Sequence, residues 1–446
     1  MRTSASRVSV VIPTHNRSAS LARMLRALER QTFPLERLEV VVVADGCVDD
    51  TADFVRATRT AFPLQLVEQP GRGPAAARNA GARRAAGDVL LFLDDDIEPT
   101  AGVLAAHDRV RAASGADVVV GPSLPTFGRD LDFYAIKLRA WWHDQLGSMQ
   151  RPGHRYGYRD VLSGNLSIDA ELFHRVGGFD EVFWCRDDYE LGLRLLAAGA
   201  IVAYAPDAVG LHHEQVDVER SFGRARLEGG ADVLIGQRHP AIRRTLSLAR
   251  PRGRGWRLQE LPRRAAFGAP RFGDAAAAGL KPGLRVLERL RLRRTWRKLY
   301  GALHDFWYWR GCAAEIGSER ALARFLADAD LRESGGAPLD LDLAGGLASA
   351  EDLLDRVRPE SLRVRLGAVP IGSVLPRPGS ERIRGVHLRT ILAEEMSVAL
   401  IEALALKDAA NLVADPAGLP SDPGDAQRED APLGPVSAAA QGGFVR

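Results

Sequence analysis

Over residues 7–121, short unbroken apolar runs alternate with stretches whose apolar positions recur at helical spacing. RVSVVIPTHN (7–16), LEVVVVADG (38–46), LQLVEQP (64–70), DVLLFLDDD (88–96) and ADVVVG (116–121) are such runs. The first is a β-branched run of the kind a strand buried on both faces needs. LEVVVVADG reads as a second buried strand, and the others read as the third, fourth and fifth strands. Between the first two, Leu21, Met24, Leu25 and Leu28 share one helical face, with Pro34 beyond its end. DTADFVRATRTA reads as a second helix and PAAARNAGARRAAG (74–87) as a third, with Gly87 placed to cap it. Pro99 is placed to open a fourth. This alternation predicts an α/β fold with right-handed crossovers, its mostly parallel central sheet covered by helices on both faces.

The pattern loosens over 123–160 into an aromatic, polar stretch, then returns with SGNLSIDAELFHRVGGFDE (163–181). A helix over 187–199 and a strand over 201–208 follow. Residues 250–283, rich in Arg, Gly, Pro and Ala, read as a linker, and 281–311 as a basic, aromatic helix. LRVRLGAVPIGSVLP (362–376) predicts a hairpin, with a helix over 386–407 packed on it. The expected organisation is a first domain over 1–240 and a basic, mostly helical extension over 241–335. A small α+β unit over 336–412 follows, then a disordered tail over 413–446 rich in Pro, Asp, Gly and Ala.

Composition narrows the setting. With 46% hydrophobic and 26% charged residues the chain is ordinary for a soluble globular protein. No apolar run reaches the ~18 residues that suggest a membrane-crossing helix. Pro13 and His15 interrupt the N-terminus before a signal-peptide core can form. Cys47, Cys185 and Cys312 are far apart and lack metal-ligand spacing, which fits the reducing cytoplasm. The net charge of +3 conceals an asymmetry: residues 241–310 hold 18 Lys and Arg against 4 Asp and Glu, a balance of +14, so the remainder sits near −11. The basic segment should face something anionic or form a solvated surface.

The chemistry-bearing residues are acids. In an open α/β sheet, ligands bind beyond the carboxyl ends of the strands. Asp45 closes the second strand, Asp94, Asp95 and Asp96 close the fourth, and Asp187 and Asp188 open the helix at 187. Three acidic clusters converging on one rim repel one another unless a cation sits among them. Oxygen ligation without paired His or Cys suits Mg²⁺ or Mn²⁺, which keep waters and bind substrate phosphates. Each cluster also has a structural reading: a polar turn at 94–96, a turn at Asp45–Gly46, a helix cap at 187–188. QPGRGPAAARNAG lacks the ending of a P-loop, and HHEQV is not the H-E-x-x-H zinc motif. The functional reading comes from the clusters' order and spacing together.

That order resembles the family 2 glycosyltransferases, inverting enzymes of the GT-A fold. The matching pieces are VSVVIPTHNR, DGCVDDT, GPAAARNAG, LFLDDD, GNLSIDAELFHRVGGFDE and RDDYELGLRL, spread over residues 7–240. The resemblance implies a nucleotide-diphosphate sugar donor, UDP-linked as the commonest case, and a hydroxyl-bearing glycan acceptor. It implies that Asp45 meets the nucleobase, that Pro13 and His15 shape the loop around the nucleotide, and that Arg78 lies near the base or diphosphate. Asp94 and Asp96 match the outer positions of the family's Asp-x-Asp motif. Asp94 would face the ribose, Asp95 between them would belong to the donor site, and Asp96 would ligate the metal. Asp188 matches the general base, with Asp187 standing where Glu is commoner. Gly164, Asn165 and Asp187 would line the acceptor side. Of His212 and His213, His213 is the better match to a residue approaching the metal. Processive relatives carry a Gln-x-x-Arg-Trp segment, whereas Gln237-Arg238-His239-Pro240 stands here, so addition of single sugars is expected.

Two questions stay open in the sequence. The basic, aromatic stretch at 281–311 suits peripheral attachment to an anionic inner membrane face presenting a lipid-linked acceptor. Equally, its aromatics can pack on the first domain while its arginines are solvated. No recognised nucleic-acid module accompanies the charge, so nucleic acid is not an expected partner. The alternative to an enzyme is a catalytically silent nucleotide-sugar-binding or scaffold protein on the same fold, and the retention of Asp94, Asp96 and Asp188 argues against it.

Overall fold

The computed structural model describes residues 6–127, 131–213, 217–249, 260–328 and 336–414. Four parallel strands form one half of a seven-stranded sheet: β1 (Val8–Thr14), β2 (Leu38–Asp45), β3 (Leu64–Gln69) and β4 (Val89–Leu93). Their side chains alternate between two cores. Val10, Ile12, Leu91 and Leu93 face one side, while Val11, Leu90 and Phe92 face the other. β1, β2 and β4 are buried on both faces and have almost no polar side to show, which explains their apolar runs; β3, at the sheet edge, is only partly buried and keeps Gln65 and Glu68.

The first core is closed by α1 (Ser18–Glu29), whose Leu21, Met24, Leu25 and Leu28 are buried as their spacing predicts. After α2 (Thr51–Ala57), α3 (Pro74–Arg84) lies close against β1 and β2, where its small residues leave the room. A Cβ on Gly81 would collide with Val11.

Beyond β4 the chain departs from expectation. Pro99 ends a short strand, β5 (Ile97–Pro99), and the helix α4 (Val103–Ser114) starts four residues later. Pro is tolerated at the end of an edge strand, where no ladder donor is needed. Next come β6 (Val118–Val120), β7 (Ser123–Pro125) and a 17-residue helix, α5 (Phe133–Met149), in the stretch that looked irregular. The sheet is completed by β8 (Asn165–Asp169), antiparallel to β4 and β6, in the order β3-β2-β1-β4-β8-β6-β9. Helices α6 (Ala170–Arg175) and α7 (Asp187–Ala197) and strand β9 (Val202–Tyr204) follow. Strand β10 (Gly210–His212) joins β5 and β7 in a second, three-stranded sheet at the rim.

Helix α8 (Val218–Arg238) leads into the basic region, whose described part is helical rather than a linker. It comprises α9 (Leu261–Gly268), α10 (Pro270–Arg289), α11 (Arg293–Ile316) and α12 (Glu319–Ala327). Pro262 and Pro270 fall in first turns, where proline costs nothing. The helix expected over 281–311 is two helices, broken where Arg291 takes a left-handed φ of 56°. Trp296, Tyr300, Phe306, Tyr308 and Trp309 of α11 are buried in the same core as Phe92 and Leu191, so this segment is continuous with the first domain's packing. α8 and α11 approach through glycines: a Cβ on Gly229 would meet the Tyr308 carbonyl, and one on Gly311 the Arg226 carbonyl. Gly229→Ala is therefore expected to cost about 1–3 kcal/mol by forcing two backbones apart, read from urea unfolding. An unchanged midpoint would contradict the close crossing.

The C-terminal unit has its own core and a three-stranded sheet, β11 (Leu339–Asp342), β12 (Leu362–Leu366) and β13 (Val369–Val374). Its helices are α13 (Leu347–Val357), α14 (Gly385–Glu395) and α15 (Ser397–Ala414). The expected hairpin is β12–β13, and the helix expected over 386–407 breaks at Met396. Glu381 ties the unit to the first domain by accepting from Tyr156 N at 3.0 Å. Of the tail expected over 413–446, residues from 415 on lie outside the described residues. Among the described residues no helix is long and apolar enough to cross a membrane.

Candidate active site

The carboxyl ends of β1, β2 and β4 open on one rim, and α7 starts beside them. The loop after β1 is laced to the loop after β2. His15 Nδ1 lies 2.6 Å from the Asp45 carbonyl, and Asn16 accepts from Val48 N at 2.8 Å. Asp45 itself is buried, and its carboxylate accepts from Gln69 Nε2, Arg72 N and Gly73 N, each at 2.8 Å. That shapes the 71–73 turn, so Asp45's described contacts are internal.

The acids after β4 differ from one another. Asp95 is buried and accepts from Thr14 Oγ1 at 2.7 Å and Arg17 Nη1 at 2.8 Å. Burial pushes its pKa up to about 6 against the pull of Arg17. Asp96 accepts from the same Arg17 at 2.8 Å and lies 3.5 Å from His212 Nε2. Burial works to raise Asp96, but His212 and Arg17 outweigh it and hold the group below the ordinary carboxylate range. Asp94 is the half-exposed member, beside Gly164, where an added Cβ would stand 3.1 Å from its Oδ2.

Arg78 joins this cluster to the next. Fully enclosed, it donates to Asp94 at 2.6 Å and to Asp187 at 2.8 Å. Both ends of the fork are committed to carboxylates. Asp187 is buried and its pKa is raised by burial, with Arg78 opposing. Asp188 accepts from Ser163 N at 3.3 Å. Burial first, and then the neighbouring Asp187 charge, push Asp188 up to about 6. The start of α7 is held by Arg186, a left-handed residue (φ 60°) paired with Asp232 and Glu228 of α8.

Two expectations need correction. Asn165 does not present its side chain to an acceptor. It is buried and bonds the Ala208 carbonyl at 2.7 Å, the Pro122 carbonyl at 3.2 Å and His107 Nε2 at 3.0 Å, because it faces inward from β8 between two neighbouring strands. His213 does not approach Asp96 with its ring. It turns to Glu98 at 2.9 Å and Thr126 at 3.2 Å, and His212 takes the place beside Asp96. Successive side chains on an extended chain point to opposite sides, so only one of the pair can face the rim. Pro13, within β1, positions the loop by its backbone. Thr14, Arg17, Ser163 and Arg186 are further residues of the rim. Arg17 sits inside the VIPTHNR run but its partners are about 80 residues away.

His107 supports the floor of the site. Burial lowers its pKa from 6.5 to about 4, and its ring joins Asn165 and Ser167. Since the unfolded chain binds the proton first, stability should fall as the pH drops from 6.5 towards 4, by about 3 kcal/mol from this group. Urea unfolding at two pH values, compared with His107→Gln, checks this; equal pH slopes in both proteins would refute it.

The sheet order, the acids beyond the strand ends and the sequence comparisons agree. Residues 9–177 match the model of Glycosyl transferase family 2. The stretch over residues 9–177 belongs to glycosyl transferase family 2. Those residues have the α/β architecture expected, a mostly parallel central sheet with helices on both faces. Residues 146–214 also match the model described as the N-terminal domain of galactosyltransferase. Validoxylamine A glucosyltransferase of Streptomyces hygroscopicus subsp. jinggangensis is 35% identical over 244 residues, covering 47% of this chain and 56% of that one. The pre-mycofactocin glycosyltransferase of Mycobacterium tuberculosis is 29% identical over 241 residues, covering 52% and 48%. The chain spans about half the length of such relatives. Among solved structures, the mannosyltransferase PcManGT of Pyrobaculum calidifontis, in complex with GDP-Man and Mn²⁺, aligns with a TM-score of 0.44 at 21% identity. That alignment covers 68% of this chain and 86% of that one.

Among the described residues, no group of three or more His, Cys, Asp or Glu side chains forms a closed metal cage. Asp96 with His212 nevertheless suits a hard divalent ion that keeps waters and phosphate oxygens as its other ligands.

Proposed function

We propose that the chain transfers a sugar from a nucleotide-diphosphate donor, UDP-linked in the first instance, to a hydroxyl of a glycan acceptor with inversion. The observation that carries this reading is the enclosed acid pair at the start of α7, joined through Arg78 to Asp94 on the opposite side of the rim. Asp188 acts as general base. With a pKa near 6 it is ionised at neutral pH yet basic enough to accept a proton. It takes the acceptor hydroxyl's proton as that oxygen bonds to the anomeric carbon. The bond from that carbon to the diphosphate oxygen breaks, and its electron pair leaves with the nucleoside diphosphate. A single displacement inverts the anomeric centre and needs no protein nucleophile.

The donor lies along the loops after β1, β2 and β4. Pro13, His15 and Asp45 bound the base, and Asp94 and Asp95 the ribose side. Asp187, Gly164 and the backbone at Asn165 bound the acceptor. Asp96 and His212 would hold Mg²⁺ or Mn²⁺, which supplies positive charge at the departing diphosphate. Arg17, paired with both Asp95 and Asp96, keeps those acids aligned. Residues 1–240 carry this chemistry, and single sugars are added at a cytoplasmic, anionic membrane face where the acceptor is lipid-linked.

Incubating the full chain with nucleotide sugars and candidate lipid-linked glycans, and following nucleoside diphosphate release, tests this. The product's anomeric configuration is then read by NMR coupling. Inversion relative to the donor is expected; retention would overturn the single displacement.

A further inference from the structure

The basic region divides its residues in a way that the sequence left open. The aromatics of α11 point inward, with Trp296 and Tyr300 stacked at 5.0 Å. Apart from Leu261 on α9, the exposed large apolar side chains of this region lie on α10 and the turn after it: Phe272 at 82% exposure, with Leu280, Val286, Leu290 and Leu292. At about 100° per residue, Phe272, Leu280, Val286 and Leu290 fall in a stripe roughly 120° wide. The face adjoining Leu280, made of Gly273, Ala277 and Leu284, is buried on the protein, so Leu280 stands at the edge where the stripe meets it.

Exposed cations stand beside this stripe, round the helix from it and beyond its end: Arg289 is about 60° from Val286, Arg285 lies on the far side, and the others follow the helix. Arg285, Arg289, Arg291, Arg293, Arg294 and Arg297 are exposed, and among the described residues none of them pairs with a carboxylate. The acids of residues 270–298 are committed elsewhere. Asp274 holds Arg310 at 2.9 Å, and Glu288 accepts from Phe133 N at 2.6 Å. An exposed apolar stripe accompanied by unpaired arginines matches a helix lying in the plane of a bilayer interface, its chains meeting acyl groups and its arginines meeting anionic headgroups.

We infer that α10 and the Leu290–Leu292 turn form an in-plane docking surface for an anionic lipid bilayer, and that α5 connects this surface to the transfer site. Phe133, at the start of α5, packs on Trp296 at 5.7 Å and bonds Glu288. Nine residues on, Trp142 stands 6.3 Å from His212 at the rim. Nine helical residues span about 14 Å, a distance within reach of a glycan carried on a membrane lipid. The assignment rests on the reading of the chain as a transferase working on a lipid-borne acceptor. A bilayer uses both parts of the surface, whereas a nucleic acid would leave the aliphatic stripe in water.

Flotation of the full chain with phosphatidylcholine vesicles, with and without phosphatidylserine, tests the assignment at low and high salt. Co-flotation is expected only with phosphatidylserine, and it should weaken with salt. Arg289→Gln with Arg293→Gln should lower partitioning by about 30-fold, at about five-fold per arginine. Phe272→Asp with Leu290→Asp should release the protein even at low salt. All four positions are exposed, and donor-induced thermal stabilisation in solution should be unchanged in both variants. That readout separates failure of the membrane surface from failure of the transferase reading. Absence of co-flotation at low salt would overturn the assignment. So would unchanged flotation of the Phe272 and Leu290 variant, or equal retention of the parent protein by duplex DNA.

Discussion

Asp188→Asn is expected to lower kcat by about 10²–10⁴-fold while leaving donor binding intact, because it removes the proton acceptor and little else. The same substitution should leave the fold as stable at pH 7, or more so. Asp188 sits beside Asp187 with its pKa raised to about 6, so above that pH the folded state carries an ionised carboxylate that burial and a like charge disfavour. The sign for catalysis is opposite. Activity needs the deprotonated form, so the rate of the parent enzyme should rise with pH through about 6 and level off above it. Single-turnover rates across pH, beside thermal unfolding of both proteins, check the pair of statements. Loss of rate accompanied by unfolding, or a rate indifferent to pH between 5 and 7, would remove Asp188 from the role.

Arg78→Met should cost stability on a larger scale, about 3–5 kcal/mol. The guanidinium is enclosed and pairs with Asp94 and Asp187, and its own pKa is held above the ordinary arginine value by those carboxylates despite burial. Removing it leaves Asp187 buried beside Asp188 without its compensating charge. Destabilisation should shrink as the pH falls and those carboxyls take up protons. Urea unfolding at pH 7 and pH 5 measures this. A uniform loss at both pH values would mean that Arg78 acts through packing on Phe179, 5.4 Å from its ring, rather than through charge.

What could be read in the chain, and what could not, follows from the range of the forces involved. β1, β2 and β4 are legible because burial on both faces demands apolar runs, and the positions of Asp45, Asp94–Asp96 and Asp188 because they end those runs or open a helical pattern. The rim sheet is not, since β5, β7 and β10 are three residues each and too short to show a period. Helix α5 lacked a stripe because it bridges two regions: Phe133 and Tyr134 lie on α11, Trp142 near His212, and only Ala135, Leu146 and Met149 are buried. The choice between His212 and His213 depends on which way a strand end faces, and one residue of register reverses it. Partners far apart in sequence, such as Arg78 with Asp187 or Arg17 with Asp96, leave no local trace. The glycine- and proline-rich stretch before 283 imitated a linker because small residues serve close helix crossings as well as flexible chain; Gly273 packs under Phe306.

The most direct test of the central claim is a thermal-stability titration of the full chain with UDP-, GDP- and dTDP-sugars, each with Mn²⁺, Mg²⁺ or EDTA, beside Asp96→Ala. A donor present at about 100 times its dissociation constant should add about 2.7 kcal/mol of stability. A shift with one nucleotide that requires the metal and is lost in the variant is expected. No shift with any nucleotide under any metal condition would contradict a donor site at this rim and leave the chain a silent member of its fold.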